Sequence, residues 1–143
     1  MFELFQIFAY SLQVIDGVNF TLFSIDHRLP YEGLFGGVSA MTAEHFIQVN
    51  GFSNLFWGWG GEDDDMSNRI KYHKLNITRY PSSTARYTML SHNKAKPNPD
   101  RYRIMRNGAN RSKIDGLSNL KYNRLDLQMN PLYIHILVDI QPS

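Results

Sequence analysis

Residues 57–65 read WGWGGEDDD and place the two tryptophans of the chain beside four consecutive carboxylates. A carboxylate can accept hydrogen bonds from sugar hydroxyls, and a well-placed one can take a hydroxyl proton as a general base. A neighbouring Trp ring offers a flat apolar surface to the C–H face of a sugar, and glycines allow such a loop to close over a ligand. The pattern therefore favours binding of a polyhydroxylated ligand.

Two structural explanations compete with this interpretation of the acidic run. Acids in the first turn of a helix complement its dipole by about 0.3–1 kcal/mol each, which accounts for one or two acids but not for four neighbours that repel one another. A calcium loop spaces its ligands at alternate positions, and the run EDDD does not have that spacing. Chemistry alone leaves carbohydrate binding and a helix terminus as open alternatives.

Composition limits the class of protein. The chain has 143 residues, of which 43% are hydrophobic, which is enough for one domain or for part of a larger one. Charged residues make up 20% and the net charge is +2, a balance too mild to indicate nucleic-acid binding. Cysteine is absent, which excludes disulfides and thiolate sites. Three N-x-S/T sequons, at Asn19, Asn76 and Asn110, point to the lumen of the secretory pathway.

The first 28 residues are apolar enough to raise the question of targeting. Glu3, Gln6, Ser11 and Gln13 interrupt the run, so the sequence predicts no 20-residue membrane span. A signal peptide would need a basic start and a small-residue cleavage site, and neither is clear. We expect a buried strand around Phe5–Ile15 instead.

Beyond residue 28 the chain divides into short elements separated by Gly, Pro and Asn. Strands mixed with helices predict an α/β or α+β fold. The basic segment 94–113 is rich in Pro, Gly and Asn and is predicted to be a long loop with one helical turn after Pro99. Asn130-Pro131 is the predicted turn of a hairpin. The predicted strands cover residues 34–40, 75–80, 122–128 and 133–140.

Two helices are predicted between these strands. Thr42 can cap a short helix that Gly51 then ends. Glu62–Asp65 open a second helix, which carries Met66 and Ile70 on one face. The acidic run would therefore lie at a helix N-terminus.

Six stretches resemble the C-terminal part of the β-1,4-galactosyltransferase and β-1,4-N-acetylgalactosaminyltransferase family, almost without a gap from Leu29 to Ile140. They are LPYEGLFGGVSAMT, NGFSNLFWGWGGEDDDMSNRI, MLSH, KPNPDRYRI, DGLSNLKY and the ending LDLQ…PLYIHILVDI. The resemblance implies an α/β chain, the C-terminal part of a GT-A-like fold, with a mixed sheet, short helices and a long mobile loop. It divides the chain into a divergent or truncated segment, 1–28, and an acceptor-side galactosyltransferase domain, 29–143.

Members of that family are Golgi type II membrane enzymes that use Mn²⁺ and a UDP-sugar to build a β1,4 linkage onto a terminal N-acetylglucosamine. By this resemblance Asp63 would be the base that deprotonates the 4-hydroxyl of the acceptor, which attacks the anomeric carbon of the donor with inversion. Three of the implied acceptor contacts, Arg101, Tyr102 and Met105, fall where the family holds the N-acetyl group. The other implied acceptor contacts are Tyr31, Gly61, Glu62 and Asp64. The implied donor contacts are Leu34, Gly37 and Trp59, the last at the tip of a mobile loop.

The resemblance also implies a metal site. Met89 and His92, in MLSH, match two metal ligands of the family. Histidine is a natural ligand for Mn²⁺, but a thioether is soft for that ion, so Met89 is a candidate through the family match alone. Without the match, Met89 would be a core residue and His92 an ordinary loop histidine. Residues 90–107 correspond to the segment that closes over bound donor and would otherwise be a solvated linker.

Two features of the family pattern are not found in this sequence. An Asp-Val-Asp-type motif upstream of LPY, which supplies the third metal ligand, is absent, and so is a Phe-Asn-Arg-Ala nucleotide-binding segment. Residues 13–20 resemble the stretch that leads into the latter. We therefore expect an interior deletion, a skipped exon or an incomplete gene model that lacks one metal ligand, half of the uridine pocket and the membrane anchor. The alternative function is a catalytically inactive, carbohydrate-binding fragment.

Leu34 bears on which sugar is transferred. Galactose-transferring members commonly carry Tyr at this position, whose bulk crowds the C2 substituent of the donor. Leu is smaller and lacks the hydroxyl, which favours UDP-N-acetylgalactosamine over UDP-galactose. The alternative is that Leu34 is simply a strand residue and that both donors are accepted.

Overall fold

The computed structural model describes residues 18–21, 31, 33–79, 93 and 95–140, with backbone alone for 18–21 and 38. The described strands are β1 (Val18–Thr21), β2 (Val38–Ala40), β3 (Ile77–Arg79), β4 (Asn123–Met129) and β5 (Ile134–Asp139). The described helices are α1 (Ala43–Gln48), α2 (Glu62–Tyr72), α3 (Arg101–Met105) and α4 (Gly108–Arg111), followed by a 3-10 turn, Leu117–Asn119. The predicted strand around Phe5–Ile15 lies outside the described residues.

A three-stranded mixed sheet has the order β2-β1-β3. Strand β1 pairs antiparallel with β2 and parallel with β3, so that Asn19 stands opposite Ala40 on one side and Thr78 on the other. A parallel pair needs a long crossover connection, and here β2, α1 and α2 all lie between the paired strands in sequence. The mixed sheet with short helices agrees with the predicted class.

The start of α1 confirms the predicted cap. Thr42 Oγ1 accepts a hydrogen bond of 3.1 Å from the backbone N–H of His45, which satisfies one of the unpaired donors of the first turn. The chain leaves the helix through Asn50 and Gly51, both at positive φ (60° and 64°). Glycine adopts that conformation without steric cost, so the helix stops before Gly51 as predicted, although its last residue is Gln48 and not the predicted Asn50.

Helix α2 supplies the larger part of the core. Met66 and Ile70 are fully buried on one face, as the sequence predicts, and contact Phe35 and Val49. Partly buried apolar side chains close the edge of this cluster: Met41, Phe46, Phe52, Leu75 and Ile77. The helix is therefore held by its apolar face, and its first turn is free to present polar groups.

Two predicted strands are shorter in the structure. Of residues 34–40 only Val38–Ala40 is a strand. Gly37, at φ 98°, lies outside the extended region, so the strand begins only after it. Of residues 75–80, Ile77–Arg79 is a strand, and Tyr80 lies outside the described residues. The prediction of one helical turn in 94–113 was incomplete, because α3 and α4 both form there.

Tertiary contacts explain why α4 was not predicted. A Cβ at Gly108 would overlap the Asp65 carboxylate, so α4 can lie against α2 only with glycine at this position. Arg111 Nη1 donates a hydrogen bond of 2.7 Å to the carbonyl of Ile104, which joins α4 to the end of α3. Neither contact produces a periodic apolar pattern, so the sequence gives no helix signal there.

The two C-terminal strands form an antiparallel hairpin, as predicted. Leu127 stands opposite Ile136, and the register shifts between Arg124 and Asp126. The backbone N–H of Asn130 donates to the carbonyl of Tyr133 (2.9 Å) across the turn. Every residue of β4 and β5 is exposed.

Candidate functional site

Two adjacent glycines form the turn that leads into the N-terminus of α2. Gly60 and Gly61 have φ values of 102° and 96°, which favour glycine. Gly61 is the N-cap and offers no side chain to the first turn, which instead carries the four acids Glu62–Asp65. Their charges lie at the positive end of the helix dipole. The structure separates these four acids into different roles.

Asp63 is the most closely held of the acids at this surface. It is partly buried, and its Oδ1 accepts a hydrogen bond of 2.9 Å from the backbone N–H of Asp64. A Cβ built at Gly36 would lie only 2.5 Å from Asp63 Oδ2, so the carboxylate rests directly on the backbone before β2. Desolvation raises the pKa of Asp63, and backbone hydrogen bonds, including one from Gly36, offset part of that rise. Such a carboxylate accepts a proton more readily than a solvated one.

Glu62 and Asp64 flank this carboxylate and differ from it. The Tyr31 hydroxyl donates a hydrogen bond of 2.8 Å to Asp64 Oδ1. Partial burial raises the pKa of Tyr31, and the hydrogen bond to Asp64 raises it further, so the phenol stays protonated as a donor. Glu62 is exposed, and desolvation of its carboxyl followed by the charge of Asp63 raises its pKa. These side chains form one polar surface that could bind hydroxyl groups.

Arg101, which the resemblance assigns to the N-acetyl pocket, lies beside the glycine turn at the start of α2. Its Cδ lies 3.1 Å from a Cβ built at Gly60, and its Cβ lies 3.3 Å from one built at Gly61. Its guanidinium carbon stands 4.4 Å from the centroid of the Tyr102 ring, a cation–π contact. Tyr102 is 58% exposed, so its ring is available to a ligand. Met105 ends α3 and is partly buried.

The implied donor residues lie in two places: Leu34 and Gly37 are beside Gly36, whereas Trp59 contacts Asn98, which leads into α3. Trp59 is 57% exposed, and its carbonyl accepts a hydrogen bond of 2.9 Å from the N–H of Asn98. The Trp side chain is therefore exposed while its backbone is fixed. The Leu34 carbonyl accepts a hydrogen bond of 2.8 Å from Arg79 Nη2, and Leu34 Cδ1 lies 3.8 Å from a Cβ built at Gly36. Gly37 is exposed beside it.

Asp65 differs from the other three acids because it is buried, with 1% of its surface exposed. Its Oδ2 forms an ion pair of 2.8 Å with Nε of Arg69, one turn along α2. Arg111 Nη2 lies 3.5 Å from the other oxygen. Asp65 therefore anchors α2 to α4. In the sequence, the i,i+4 spacing of Asp65 and Arg69 is the feature that could have predicted this ion pair.

Arg69, fully buried, extends this network to Asp115. Its Nη1 donates to the carbonyls of Gly51 (3.1 Å) and Asp115 (2.7 Å), and its Nη2 lies 3.2 Å from Asp115 Oδ2. Burial alone would raise the pKa of Asp115, but hydrogen bonds from Ser53 and Arg111 outweigh it, so the pKa is lowered. The network ties α2 to the segment before it, at Gly51, and to the segment after α4, at Asp115.

The motifs NGFSN (50–54) and DGLSN (115–119) form a reciprocal clasp. The Asn50 side chain bonds the N–H and the hydroxyl of Ser118 (2.8 and 2.9 Å). Asp115, at the matching position, accepts from the Ser53 hydroxyl (2.5 Å) and from the N–H of Asn54 (2.9 Å). A Cβ at Gly116 would overlap the Asn50 carbonyl, which explains the glycine. The shared pattern of the two motifs was the sequence signal for this pairing.

The proposed metal ligands Met89 and His92 lie outside the described residues. Among the residues that the structure describes, no group of three or more His, Cys, Asp or Glu side chains is placed to hold a metal ion. No helix in the described part of the chain is long and apolar enough to cross a membrane.

Solved structures share this fold. The catalytic domain of Drosophila β1,4-galactosyltransferase 7 in complex with xylobiose matches with a TM-score of 0.59 and 23% identity, over 93% of this chain and 61% of that one. A mutant of the Drosophila protein in complex with manganese, UDP-Gal and xylobiose matches equally well. Both likenesses support the predicted GT-A-like glycosyltransferase fold.

Sequence comparisons identify the family. Residues 18–93 match the family model described as the N-terminal domain of galactosyltransferase. β-1,4-Galactosyltransferase 4 of Cricetulus griseus is 44% identical over 119 residues, which cover 81% of this chain and 35% of that protein. Human β-1,4-galactosyltransferase 4 is 38% identical over 96% of this chain and 40% of that protein. Human β-1,4-galactosyltransferase 2 is 43% identical over 79% and 31%. The chain thus spans well under half the length of these relatives, and it belongs to the β-1,4-galactosyltransferase family.

Proposed function

We propose that this chain forms the acceptor-side part of an inverting β-1,4-glycosyltransferase, which transfers a sugar from a UDP-sugar to a terminal N-acetylglucosamine of a glycan. The observation that carries the proposal is the placement of Asp63. Its carboxylate is partly buried, rests on the Gly36 backbone and has a raised pKa, and it lies at an exposed polar surface of a chain that belongs to this family. The proposed location is the Golgi lumen.

In the proposed reaction Asp63 acts as the general base. One oxygen of its carboxylate takes the proton of the acceptor 4-hydroxyl as O4 forms a bond to the anomeric carbon of the donor. The bond between that carbon and the diphosphate oxygen breaks, and UDP leaves with the bonding electrons. A raised pKa brings the base closer to the operating pH, where general-base catalysis is most effective. The fixed position of the carboxylate supplies the orientation that proton transfer needs.

The remaining polar side chains would orient the acceptor. Glu62 and Asp64 would accept hydrogen bonds from sugar hydroxyls, and Tyr31 holds Asp64 in place (2.8 Å). Trp59 would cover the apolar face of a sugar ring. Arg101 and Tyr102 would hold the N-acetyl group, because Arg101 lies beside the glycine turn that leads into the acids and contacts the Tyr102 ring. Gly61 and Met105 complete the proposed acceptor surface, and Gly37 would let the donor approach the backbone.

We propose Mn²⁺ as the cofactor, held by Met89 and His92. A Drosophila relative of the same fold has been solved in complex with manganese and UDP-Gal. A bound divalent ion would neutralise charge on the diphosphate of the donor. Two protein ligands leave most positions to water, and the thioether of Met89 is a soft ligand for this ion.

The proposed donor is UDP-N-acetylgalactosamine, with UDP-galactose as the alternative. Leu34 lies next to Gly36 and hence next to the backbone that holds Asp63. A Tyr at this position would add bulk beside the donor C2 substituent, which penalises the larger N-acetylated donor. Leu34→Tyr should therefore shift the kcat/KM ratio of the two donors toward galactose.

The test uses a version of the chain extended with the upstream catalytic-domain part of a β-1,4-galactosyltransferase, supplied with both UDP-sugars at equal concentration and an N-acetylglucosamine acceptor. A wild-type preference for galactose, or an unchanged ratio in Leu34→Tyr, would contradict the donor assignment. Transfer of neither sugar by a folded extended enzyme would contradict the transferase proposal.

A second candidate function is carbohydrate binding without catalysis. It is favoured by the acceptor-side residues of the described part, where Glu62, Asp64 and the exposed ring of Tyr102 offer contacts to a sugar. Saturation-transfer NMR with N-acetylglucosamine on the 143-residue chain, together with a transfer assay on the same sample, separates the two. Binding without transfer supports the second function for the short chain.

A further inference from the structure

The three N-glycosylation sequons have different structural settings. We propose that Asn76 is the residue of this chain that carries an N-linked glycan, an inference that rests on the lumenal location proposed above. The modification joins the side-chain nitrogen of Asn76 to the anomeric carbon of an oligosaccharide carried on a lipid diphosphate. The lipid diphosphate leaves with the bonding electrons, and the amide nitrogen loses one proton.

Strand alternation places the two sequon residues of Asn76-Ile77-Thr78 on the outer face. Leu75 and Ile77 pack against the core cluster, while Asn76 and Thr78 are exposed. Residues two apart in an extended chain point to the same side. Both residues that a transferase must recognise together therefore lie on one exposed face of the strand, and a glycan on Asn76 would extend away from the core.

Asn76 lies next to an edge strand of the described sheet and away from the acids of the candidate site. In the described sheet β3 pairs with β1 alone, at one end of the order β2-β1-β3. Asn76 follows the C-terminal end of α2, which has 11 residues, and the acids of the candidate site lie at the opposite end. At 1.5 Å per residue the helix separates the two by about 16 Å. A glycan on Asn76 would therefore leave the acidic surface accessible.

The other two sequons are less suited to modification. Asn19 belongs to β1, the central strand, whose backbone pairs with β2 on one side and β3 on the other. Asn110 is exposed, but the hydroxyl residue of its sequon, Ser112, is 1% exposed and donates a hydrogen bond of 2.6 Å to the carbonyl of Ala109. A helical segment also points residues two apart to nearly opposite sides. The structure thus selects Asn76 among the three.

The test expresses the full chain behind a cleavable secretion signal in eukaryotic cells and measures the mobility shift on removal of N-glycans by an endoglycosidase. We expect one glycan on the wild-type chain. Asn76→Gln and Thr78→Ala should lose it, whereas Thr78→Ser should keep it because the hydroxyl is retained. Asn19→Gln and Asn110→Gln are the matched controls and should keep it as well.

Absence of a shift in the wild-type chain, or a shift that survives Asn76→Gln, would overturn the proposal. The result is read from glycan occupancy and not from activity. The glycan proposal can therefore fail without the transferase proposal failing. The added signal delivers the chain to the lumen whether or not the chain is part of a transferase.

Discussion

Asp63 and Asp115 both accept several hydrogen bonds, but the protein shifts their pKa values in opposite directions. Desolvation dominates at Asp63 and raises its pKa, whereas at Asp115 the bonds from Ser53 and Arg111 outweigh burial and lower it. Contact with two guanidinium groups does not explain the difference, because Asp65 also contacts two and has a raised pKa. Asp115 differs in also accepting hydrogen bonds from the Ser53 hydroxyl and the Asn54 N–H. Among the four acids of α2, Asp65 alone forms described ion pairs.

The first prediction concerns the titration of these two carboxyls. In a ¹³C NMR pH titration of the folded chain, Asp63 should titrate above the ordinary aspartate value of about 3.9 and Asp115 below it. The folded state binds the Asp63 proton more tightly than the unfolded state, so this contribution to stability declines as pH rises through the folded pKa. The Asp115 contribution is present above about pH 3.9 and is lost as pH falls through its lower folded pKa. Coincident titrations would contradict this account.

The second prediction concerns Gly36. A methyl group there would lie 2.5 Å from Asp63 Oδ2, so Gly36→Ala should displace the carboxylate and lower kcat of the extended enzyme by about tenfold or more. Gly33→Ala is the matched control, because the one described atom that its added methyl would meet is Lys71 Nζ, at an ordinary 3.6 Å. Equal activity of the two variants in a transfer assay would show that the Gly36 contact does not position the base.

At the scale of elements, the N-terminus of α2 carries the acids of the candidate site, and the apolar face of α2 stabilises the fold. Met66 and Ile70 lie in the core, Asp65 and Arg69 hold the neighbouring segments, and the first turn is left to the acids of the site. The clasp between residues 50–54 and 115–119 fixes the approach of the chain to the helix. This arrangement fixes both ends of the loop 55–61, which contains the two Trp residues.

The third prediction tests the clasp. Asp115→Ala removes a buried partner of Arg69 and Arg111 and should lower the free energy of unfolding by about 3 kcal/mol or more. Asp100→Ala is the control, because the Asp100–Arg103 pair is exposed (57% and 72% of the side chains) and should contribute less than about 1 kcal/mol. Chemical denaturation followed by circular dichroism measures both. Similar losses for the two variants would contradict the assigned role of the clasp.

Sequence patterns predicted the elements that depend on local signals. The Thr42 cap, the apolar face of α2 and the hairpin turn at Asn130-Pro131 each need only neighbouring residues, and each is confirmed. The extent of strand 34–40 and the helix α4 were not predicted, because they depend on a positive φ at Gly37 and on contact between Gly108 and Asp65. Such contacts join residues far apart in sequence.

The candidate site was likewise predicted where local residue types sufficed and missed where it depends on distant contacts. The types and order of the residues in WGWGGEDDD indicated a sugar-binding surface, and the family resemblance proposed Asp63 as the base. The pattern did not reveal that Asp65 turns inward, since four adjacent acids look alike until their partners are known. Nor did it reveal Gly36 as the support of Asp63, although its neighbour Gly37 was singled out. The roles assigned to the site residues remain predictions.

At the scale of the whole molecule, the described part of the chain has a small core and an exposed hairpin. Four apolar side chains are buried in the described part, whereas Leu127 and Ile136, paired across β4 and β5, are 41% and 52% exposed. The chain spans 31–40% of the length of its relatives.

The fourth prediction separates core from hairpin. The double variant Leu127→Thr, Ile136→Thr should change the free energy of unfolding by no more than about 0.5 kcal/mol, because exposed positions contribute little and Thr suits a strand. Met66→Ala should cost about 2–5 kcal/mol, as expected for a buried side chain. Denaturant titration of both variants supplies the comparison. A loss in the double variant as large as that of Met66→Ala would show that the hairpin is part of the core.

The central claim is that Asp63 is the base of a glycosyl transfer, and the most direct measurement is the steady-state kinetics of Asp63→Asn in the extended enzyme. The substitution keeps the size and the hydrogen-bond acceptor but removes the proton affinity. We expect kcat to fall by about 10²–10⁴-fold with little change in acceptor KM, and an unfolding free energy no lower than that of the wild type. The exposed Asp100→Asn serves as the control and should retain full turnover. Near-normal turnover of a folded Asp63→Asn variant would contradict the account.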